Sequence, residues 1–153
     1  MNFRYERIAD HFEKWYVEGL PYPCAFHHFT GPDHGDPHDH PFGLTSHVLS
    51  GGYVEEVFYP NGAPGMRGRS ELVTRAPGTV HTVAATHIHR IVSLPAGECW
   101  TFVIPGPLER ETRFWRFDET GAMSRPWHHA EYEPAVARGT ILLGREHEIR
   151  RAA

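Results

Sequence analysis

The sequence predicts an all-β protein with a barrel or sandwich architecture. Its length and its frequent glycines and prolines support this fold class. The 153 residues fit one ordinary domain with a single core. Short runs rich in valine, isoleucine, phenylalanine and threonine are interrupted by 15 glycines and 13 prolines. Frequent breakers between short β-type runs are typical of strands joined by turns. We therefore expect strands through most of the chain.

The start of the chain is the expected exception. Apolar residues recur at helical spacing from Tyr5 to Glu18, and Gly19 and Pro21 follow as helix-ending residues. The residues at this spacing are Ile8, Phe12, Trp15 and Tyr16. The pattern predicts a helical segment in residues 1–20 that packs on a barrel in residues 21–120, with residues 121–153 as a C-terminal extension of the same domain.

The barrel itself is predicted from a series of β-type runs. The glycine pair Gly51-Gly52 separates two of these runs and is a strong hairpin signal. The predicted strands are Cys24–Phe29, His38–Leu49, Tyr53–Tyr59, Glu71–Arg75, Thr79–Val83, His89–Leu94, Cys99–Ile104 and Arg113–Phe117.

Charge and composition exclude several classes of partner and chemistry. The formal net charge is −4, which gives no electrostatic reason to expect nucleic acid or an anionic membrane. No run approaches the roughly 18 continuous apolar residues of a membrane span. Two cysteines, Cys24 and Cys99, without a leading apolar run predict reduced thiols and a cytoplasmic protein. Serine-nucleophile, phosphate-loop and dinucleotide motifs are absent from the sequence.

Histidine is the residue type that departs most from average, with 13 copies. His38 and His40 lie two apart in a predicted strand, so both imidazoles point to one face. A third imidazole from a neighbouring strand, for which His89 is the candidate, would complete a facial site for a divalent metal. His87 lies two residues away and is the second choice for this third ligand.

The chain resembles a small single-domain cupin in the spacing of two motifs across about Asp36 to Pro105. The first family motif is Gly, five residues, His-x-His, three or four residues, Glu, six residues, Gly. The second is Gly, five residues, Pro-x-Gly, two residues, His, three residues, Asn. The corresponding positions here are Pro32, His38, His40, Thr45 and Gly52, then Gly78, Ala84, Thr86, His89 and Ser93.

The resemblance implies a cupin jelly-roll barrel that binds one divalent metal through His38, His40 and His89. Thr45, or Leu44 at the shorter spacing, stands where most cupins have a carboxylate ligand. Three neutral imidazoles leave the metal charge uncompensated, which favours an anionic or chelating substrate. Three-histidine iron sites occur in cupins that resemble thiol and diketone dioxygenases. The resemblance therefore favours Fe(II) as the metal, with zinc, manganese or nickel as alternatives.

Three functions follow from this resemblance. The leading hypothesis is a non-haem Fe(II) oxygenase that acts on a small polar, chelating molecule. The second is a metal-dependent isomerase, epimerase or lyase of a sugar or oxo-acid. The third is a non-catalytic cupin that binds a small ligand. We also expect a homodimer, formed through an edge strand or the N-terminal segment.

Further candidates surround the predicted metal site. His47 could be a fourth ligand or a proton shuttle, and His81 could line the cavity. One of Glu55 and Glu56 must face inward in a regular strand and could serve as a general base, for which Glu56 is our candidate. The candidates for substrate binding are Arg75, Arg67 and Thr45, the arginines because their forked donors suit a carboxylate or phosphate.

Overall fold

The computed structural model describes residues 1–60, 69–118 and 121–135. The elements in these ranges are twelve strands: β1 Asn2–Ala9, β2 Phe12–Glu18, β3 Ala25–Phe29, β4 Leu44–Ser50, β5 Tyr53–Tyr59, β6 Arg69–Arg75, β7 Val80–Val83, β8 Ile88–Ser93, β9 Cys99–Pro105, β10 Arg113–Asp118, β11 Gly121–Pro126 and β12 Glu133–Pro134.

The strands form two facing layers. One layer is a six-stranded sheet in the order β1-β2-β3-β9-β4-β7. The other contains two three-stranded sheets, β6-β5-β8 and β10-β11-β12. His38 connects these two sheets, because it forms isolated antiparallel bridges with His89 in β8 and with Phe114 in β10. The predicted all-β class is confirmed.

The predicted N-terminal helix is wrong. Residues of this segment form the antiparallel hairpin β1–β2, and β2 pairs in turn with β3, where Trp15 lies opposite Phe26. The segment is rich in aromatic and β-branched residues, which suit a pleated surface better than a helix. Hydrogen bonding to β3 therefore outweighs the helical spacing of a few apolar side chains.

The main hydrophobic core lies between the two layers. Its buried residues come from five strands: Phe29, Val48, Tyr53, Ile91 and Cys99. A second cluster around Trp115 fills the space beneath β10 and β11. Both cysteines are buried and free, as the sequence predicted.

The predicted hairpin at Gly51-Gly52 is wrong. The two glycines do form a turn, but β4 pairs with β7 and β9 whereas β5 pairs with β6 and β8, so the turn carries the chain from one layer to the other. Both glycines have positive φ, +78° and +74°, which the tight turn requires and which side-chain-bearing residues rarely adopt. A Cβ on Gly51 would lie 1.9 Å from the carbonyl oxygen of Glu98. In the part of the chain that the structure describes, no helix is long and apolar enough to cross a membrane.

Candidate metal centre

The segment that carries His38 and His40 is extended but lies outside the regular strands, since β4 begins only at Leu44. The backbone of His38 exchanges two hydrogen bonds with His89, at 2.9 and 3.0 Å. The backbone N–H of His40 donates to Ala85 at 3.0 Å, and Pro37 accepts from Trp115 at 2.8 Å. The segment is thus held between two strands, and both histidines are presented towards β8.

Asp39, between the two histidines, fixes the segment from the opposite side. Its carboxylate is 1% exposed and accepts hydrogen bonds from the backbone N–H of Arg113 at 2.7 Å and from Trp115 Nε1 at 3.0 Å. Arg110 forms an ion pair with the same carboxylate at 3.0 Å. Burial raises the pKa of Asp39, and these contacts only partly oppose that rise.

The three predicted metal ligands come together in space. The ring centroids of His38 and His89 are 5.0 Å apart, and His40 lies 4.9 Å from His89 and 5.4 Å from His38. One potential ligand atom from each histidine lies within 4.8 Å of the others. Two ligand atoms that each lie about 2.1 Å from one metal ion are at most about 4.2 Å from each other. Small rotations of the three imidazole rings would bring their ligand atoms within this limit.

The environment favours the neutral form of His38 and His40, the form in which a histidine binds a metal. Burial and the neighbouring His89 lower the pKa of His38 to about 4. The same two causes hold the pKa of His40 well below its ordinary value. Nδ1 of His40 is buried and has no hydrogen-bond partner among the described residues. A buried nitrogen without a partner is costly, and a bound cation would remove that cost.

Glu55 of β5 is the carboxylate that contacts the histidines of the site directly. It is 1% exposed, contacts His89 Nδ1 and accepts from His87 Nε2 at 3.1 Å. Its other oxygen accepts from Arg75 Nε at 2.6 Å. Burial alone would raise the pKa of Glu55, but the hydrogen bonds from His87 and His89 outweigh it and lower that pKa.

The ionised carboxylate of Glu55 also assigns the tautomers of its neighbours. A carboxylate can only accept hydrogen bonds, so the protons lie on His89 Nδ1 and His87 Nε2. In the neutral imidazole that metal binding requires, Nε2 of His89 would then carry the lone pair. A second possible ligand set, Glu55 with His87 and His89, also meets the distance criterion, but its atoms are already joined by these hydrogen bonds.

His81 and Arg75 lie near this network. His81 Nε2 is 3.2 Å from the hydroxyl of Tyr53, and burial together with the positive charge of Arg75 lowers the pKa of His81 to about 4. Arg75 is partly buried through its ion pair with Glu55. The structure thus places both candidates on the cavity side of the barrel.

Three other candidates, Thr45, His47 and Glu56, do not lie in the cluster of His38, His40 and His89. Ser46 and Val48 are the buried residues of β4, so the alternating residues Thr45 and His47 face the outer side of the sheet. The ring of His47 lies 6.0 Å from that of Phe102 there. The turn at residues 41–43 separates the histidine segment from β4. The alternation of side-chain faces that puts His38 and His40 on one side therefore does not continue into that strand.

Glu56 faces outward as well and binds Arg90 and Ser70 at 2.7 Å each. The inward glutamate is Glu55. Alternation along β5 could not choose between the two glutamates, because Glu55 lies in a row with Tyr53 and Val57, and Glu56 lies in a row with Val54 and Phe58, so each row has two apolar residues. A register irregularity between Val54 and Glu55 lies beside the site. Arg67 lies outside the described residues.

Comparisons with known proteins identify the fold. No protein-family model matches the chain, and no curated protein sequence matches it. Similar solved structures include a hydroxypropylphosphonic acid epoxidase from S. wedmorenis, with TM-score 0.51 and 11% identity over 68% of this chain and 55% of that one. The Drosophila melanogaster CENP-C cupin domain gives TM-score 0.50 and 8% identity over 68% and 75%.

A third similar structure is the oxalate decarboxylase of Bacillus subtilis, whose Mn(II) centres have been studied. It gives TM-score 0.50 and 12% identity, and the match covers 68% of this chain and 28% of the decarboxylase. The chain thus spans about half the length of the epoxidase and less of the decarboxylase. Together with the topology, these similarities define the chain as a cupin-fold protein with a histidine and glutamate cluster fit for a metal.

Proposed function

We propose that this chain is a metal-dependent cupin enzyme in which His38, His40 and His89 hold one divalent metal ion. The convergence of these three side chains, with one possible ligand atom from each within 4.8 Å of the others, carries the proposal. The buried Nδ1 of His40, which lacks a partner among the described residues, supports it independently. We further propose that the enzyme is a non-haem Fe(II) oxygenase acting on a small polar, chelating substrate.

The charges around the site favour an anionic substrate. The negative charge of Glu55 is matched by Arg75, which lies 2.6 Å away. The three imidazole ligands are neutral, so the positive charge of a bound dication is not cancelled by these residues. A substrate that brings a carboxylate or a similar anionic group would supply the missing charge, and Arg75 is our candidate for contacting it.

Glu55 acts in this proposal by positioning His89. The carboxylate holds the proton on Nδ1 and directs Nε2 towards His38 and His40. Carboxylates that orient a ligating histidine in this way also increase its basicity. When bound, the metal would supply Lewis acidity and, as iron, the ability to react with O₂.

Iron is favoured by the proposal, although imidazole ligands accept several divalent metals. One similar solved structure is of the Fe(II) form of a protein named HppE, with TM-score 0.51 and 10% identity. The similar decarboxylase has Mn(II) centres. Zinc, manganese and nickel are therefore the alternatives that metal analysis must distinguish.

Metal analysis of the purified chain, with two matched histidine variants, tests the proposal. We expect one divalent metal per chain in the native protein after anaerobic Fe(II) loading. His40→Ala should abolish this uptake, whereas His47→Ala should retain it because His47 faces the outer side of β4. Full uptake by folded His40→Ala, or equal loss in both variants, would overturn the assigned ligand set.

A metal-dependent isomerase, epimerase or lyase is the second candidate, and a specific pair of contacts favours it. His87 is bonded to Glu55, and His81 to the hydroxyl of Tyr53, so two proton-carrying groups lie on the cavity side. Such groups can move a proton in a substrate polarised by a metal. Oxygen uptake with candidate substrates identifies the oxygenase, while turnover with zinc or manganese and without oxygen uptake identifies the isomerase class.

A further inference from the structure

Strand β1 is a long, exposed edge of the six-stranded sheet. It lies at the end of the strand order, and β2 is its one strand neighbour among the described residues. Seven of its eight residues are exposed. One row of backbone N–H and C=O groups therefore faces away from β2, and an exposed row of this kind is a template for pairing with another strand.

The outer face of this edge is aromatic. Phe3 is 58% exposed and Tyr5 is 51% exposed. The ring of Tyr5 lies 5.1 Å from that of Trp15, and the ring of Phe3 lies 6.4 Å from that of Phe26. Phe3, Trp15, Phe26 and Trp100 line an open apolar groove of about 260 Å³. Contiguous exposed aromatic surface of this kind is characteristic of a protein interface.

The opposite face of β1 carries charges in a self-complementary order. Arg4 and Glu6 flank Tyr5 symmetrically. Within the chain Arg4 forms exposed ion pairs with Glu6 and Glu18, and its guanidinium also lies 3.9 Å from the centroid of the Tyr16 ring. The strand contains no proline and no lysine, which commonly protect free edges. We propose that β1 pairs antiparallel with β1 of a second copy of this chain, about a two-fold axis at Tyr5.

The charges select this register over its neighbours. With the axis at Tyr5, Arg4 lies opposite Glu6 of the second copy, and the same pair forms again on the other side of the axis. An axis at Arg4 would place Arg4 opposite itself, and an axis at Glu6 would place Glu6 opposite itself. Directly opposed like charges destabilise a strand pair, whereas opposed unlike charges stabilise it.

Pairing in this register would use the strand from Asn2 to Ile8 and close the free edge. Two six-stranded sheets would become one continuous sheet across the axis. The aromatic rows would meet there, with Tyr5 opposite Tyr5 of the second copy and Phe3 opposite the aliphatic stem of Arg7. The interface is isologous, as expected for a closed dimer with two-fold symmetry.

Charge reversal in the full-length chain tests the proposal, with oligomeric state measured by sedimentation equilibrium. The native chain should be a dimer. Arg4→Glu and Glu6→Arg should each weaken dimerisation by about tenfold or more, because each creates two like-charge pairs. The double variant Arg4→Glu with Glu6→Arg restores opposite charges and should recover dimerisation close to the native level.

Controls separate this pairing from a general effect on folding. The Arg4 side chain is half exposed in its ion pairs and in its contact with the Tyr16 ring, so thermal unfolding of the monomer should change little. Leu72→Glu places a charge on the other exposed edge, β6, where Leu72 is 70% exposed, and it should leave the dimer intact. A monomeric native chain, a dimer that survives both single reversals, a double variant that stays monomeric, or loss of the dimer in Leu72→Glu would each overturn the proposal.

Discussion

Two buried carboxylates, Asp39 and Glu55, hold the histidine cluster from opposite sides, and they do so in different ways. Each is 1% exposed and each pairs with an arginine. Asp39 binds backbone and side-chain donors of the C-terminal strands, and burial raises its pKa. Glu55 binds two imidazoles, and its pKa is lowered.

The two carboxylates therefore support different parts of the site: Asp39 supports the backbone of the histidine segment, and Glu55 supports the imidazole ring of His89. Asp39 determines where the backbone of the histidine segment lies, because it ties that segment to Arg113 and Trp115. The contacts of Glu55 are with side chains, and its contact with His89 sets the orientation and tautomer of that imidazole. Removing Asp39 should therefore affect folding first, whereas removing Glu55 should affect metal binding first.

Asp39→Ala should have the largest effect. It leaves Trp115 Nε1 and Arg110 without their carboxylate, and removal of one partner from a buried pair costs about 3 kcal/mol or more. For a chain of this size that cost lowers the thermal midpoint by roughly 10 °C. Differential scanning calorimetry of the metal-free protein measures the loss.

A surface ion pair provides the matched control for this variant. Arg90→Ala breaks the pair with Glu56, which is partly exposed, and should cost no more than about 1 kcal/mol. Equal midpoints for Asp39→Ala and the native chain would show that Asp39 does not support the segment.

Glu55→Gln should lower metal affinity by about 10- to 100-fold, which is the usual effect of removing a carboxylate that orients a ligating histidine. The adjacent Glu56→Gln is the control, because Glu56 faces outward towards Arg90. Competition titration with a chromophoric chelator gives both affinities. If the two variants bind metal equally well, Glu55 has no role in positioning His89.

The sequence predicted much of the barrel because turns and strands leave local signals. The turn at Gly51-Gly52 and the strand Tyr53–Tyr59 lie where they were predicted. Their arrangement as a hairpin was wrong, because β4 and β5 belong to different sheets. The N-terminal hairpin was not predicted, because only its pairing with β3 makes the segment extended. Long-range hydrogen bonds of this kind have no signature within a short window of sequence.

The candidate site, too, was predicted only in part, because some of its contacts join residues far apart in the sequence. The spacing of His38, His40 and His89 predicted which side chains would meet, and in the structure they do meet. The role of Asp39 depends on Arg110 and Trp115, more than 70 residues away, so the sequence pattern did not reveal it. For Glu55 the alternation along β5 was not decisive, because Glu55 and Glu56 each share a row with two apolar residues, and a buried glutamate contradicts the usual preference of charged residues for the surface.

His27, a partly buried histidine of β3, extends the comparison, because no carboxylate contact to it is found among the described residues, whereas His89 contacts Glu55. Burial and the positive charge of Lys14 lower the pKa of His27 to about 3. The folded pKa lies below the unfolded value near 6.5, so the unfolded chain binds the proton first as the pH falls. Stability from neutral His27 is therefore complete above pH 6.5 and is lost progressively towards pH 3.

His27→Gln should reduce this acid sensitivity. Between pH 6 and pH 5 the native chain should lose about 1 kcal/mol more unfolding free energy than the variant. Urea unfolding of metal-free protein at both pH values measures the difference, with the exposed His129→Gln as the matched control. Equal slopes in the native chain and His27→Gln would mean that the pKa of His27 is the same in the folded and unfolded chain, and would contradict the lowered pKa.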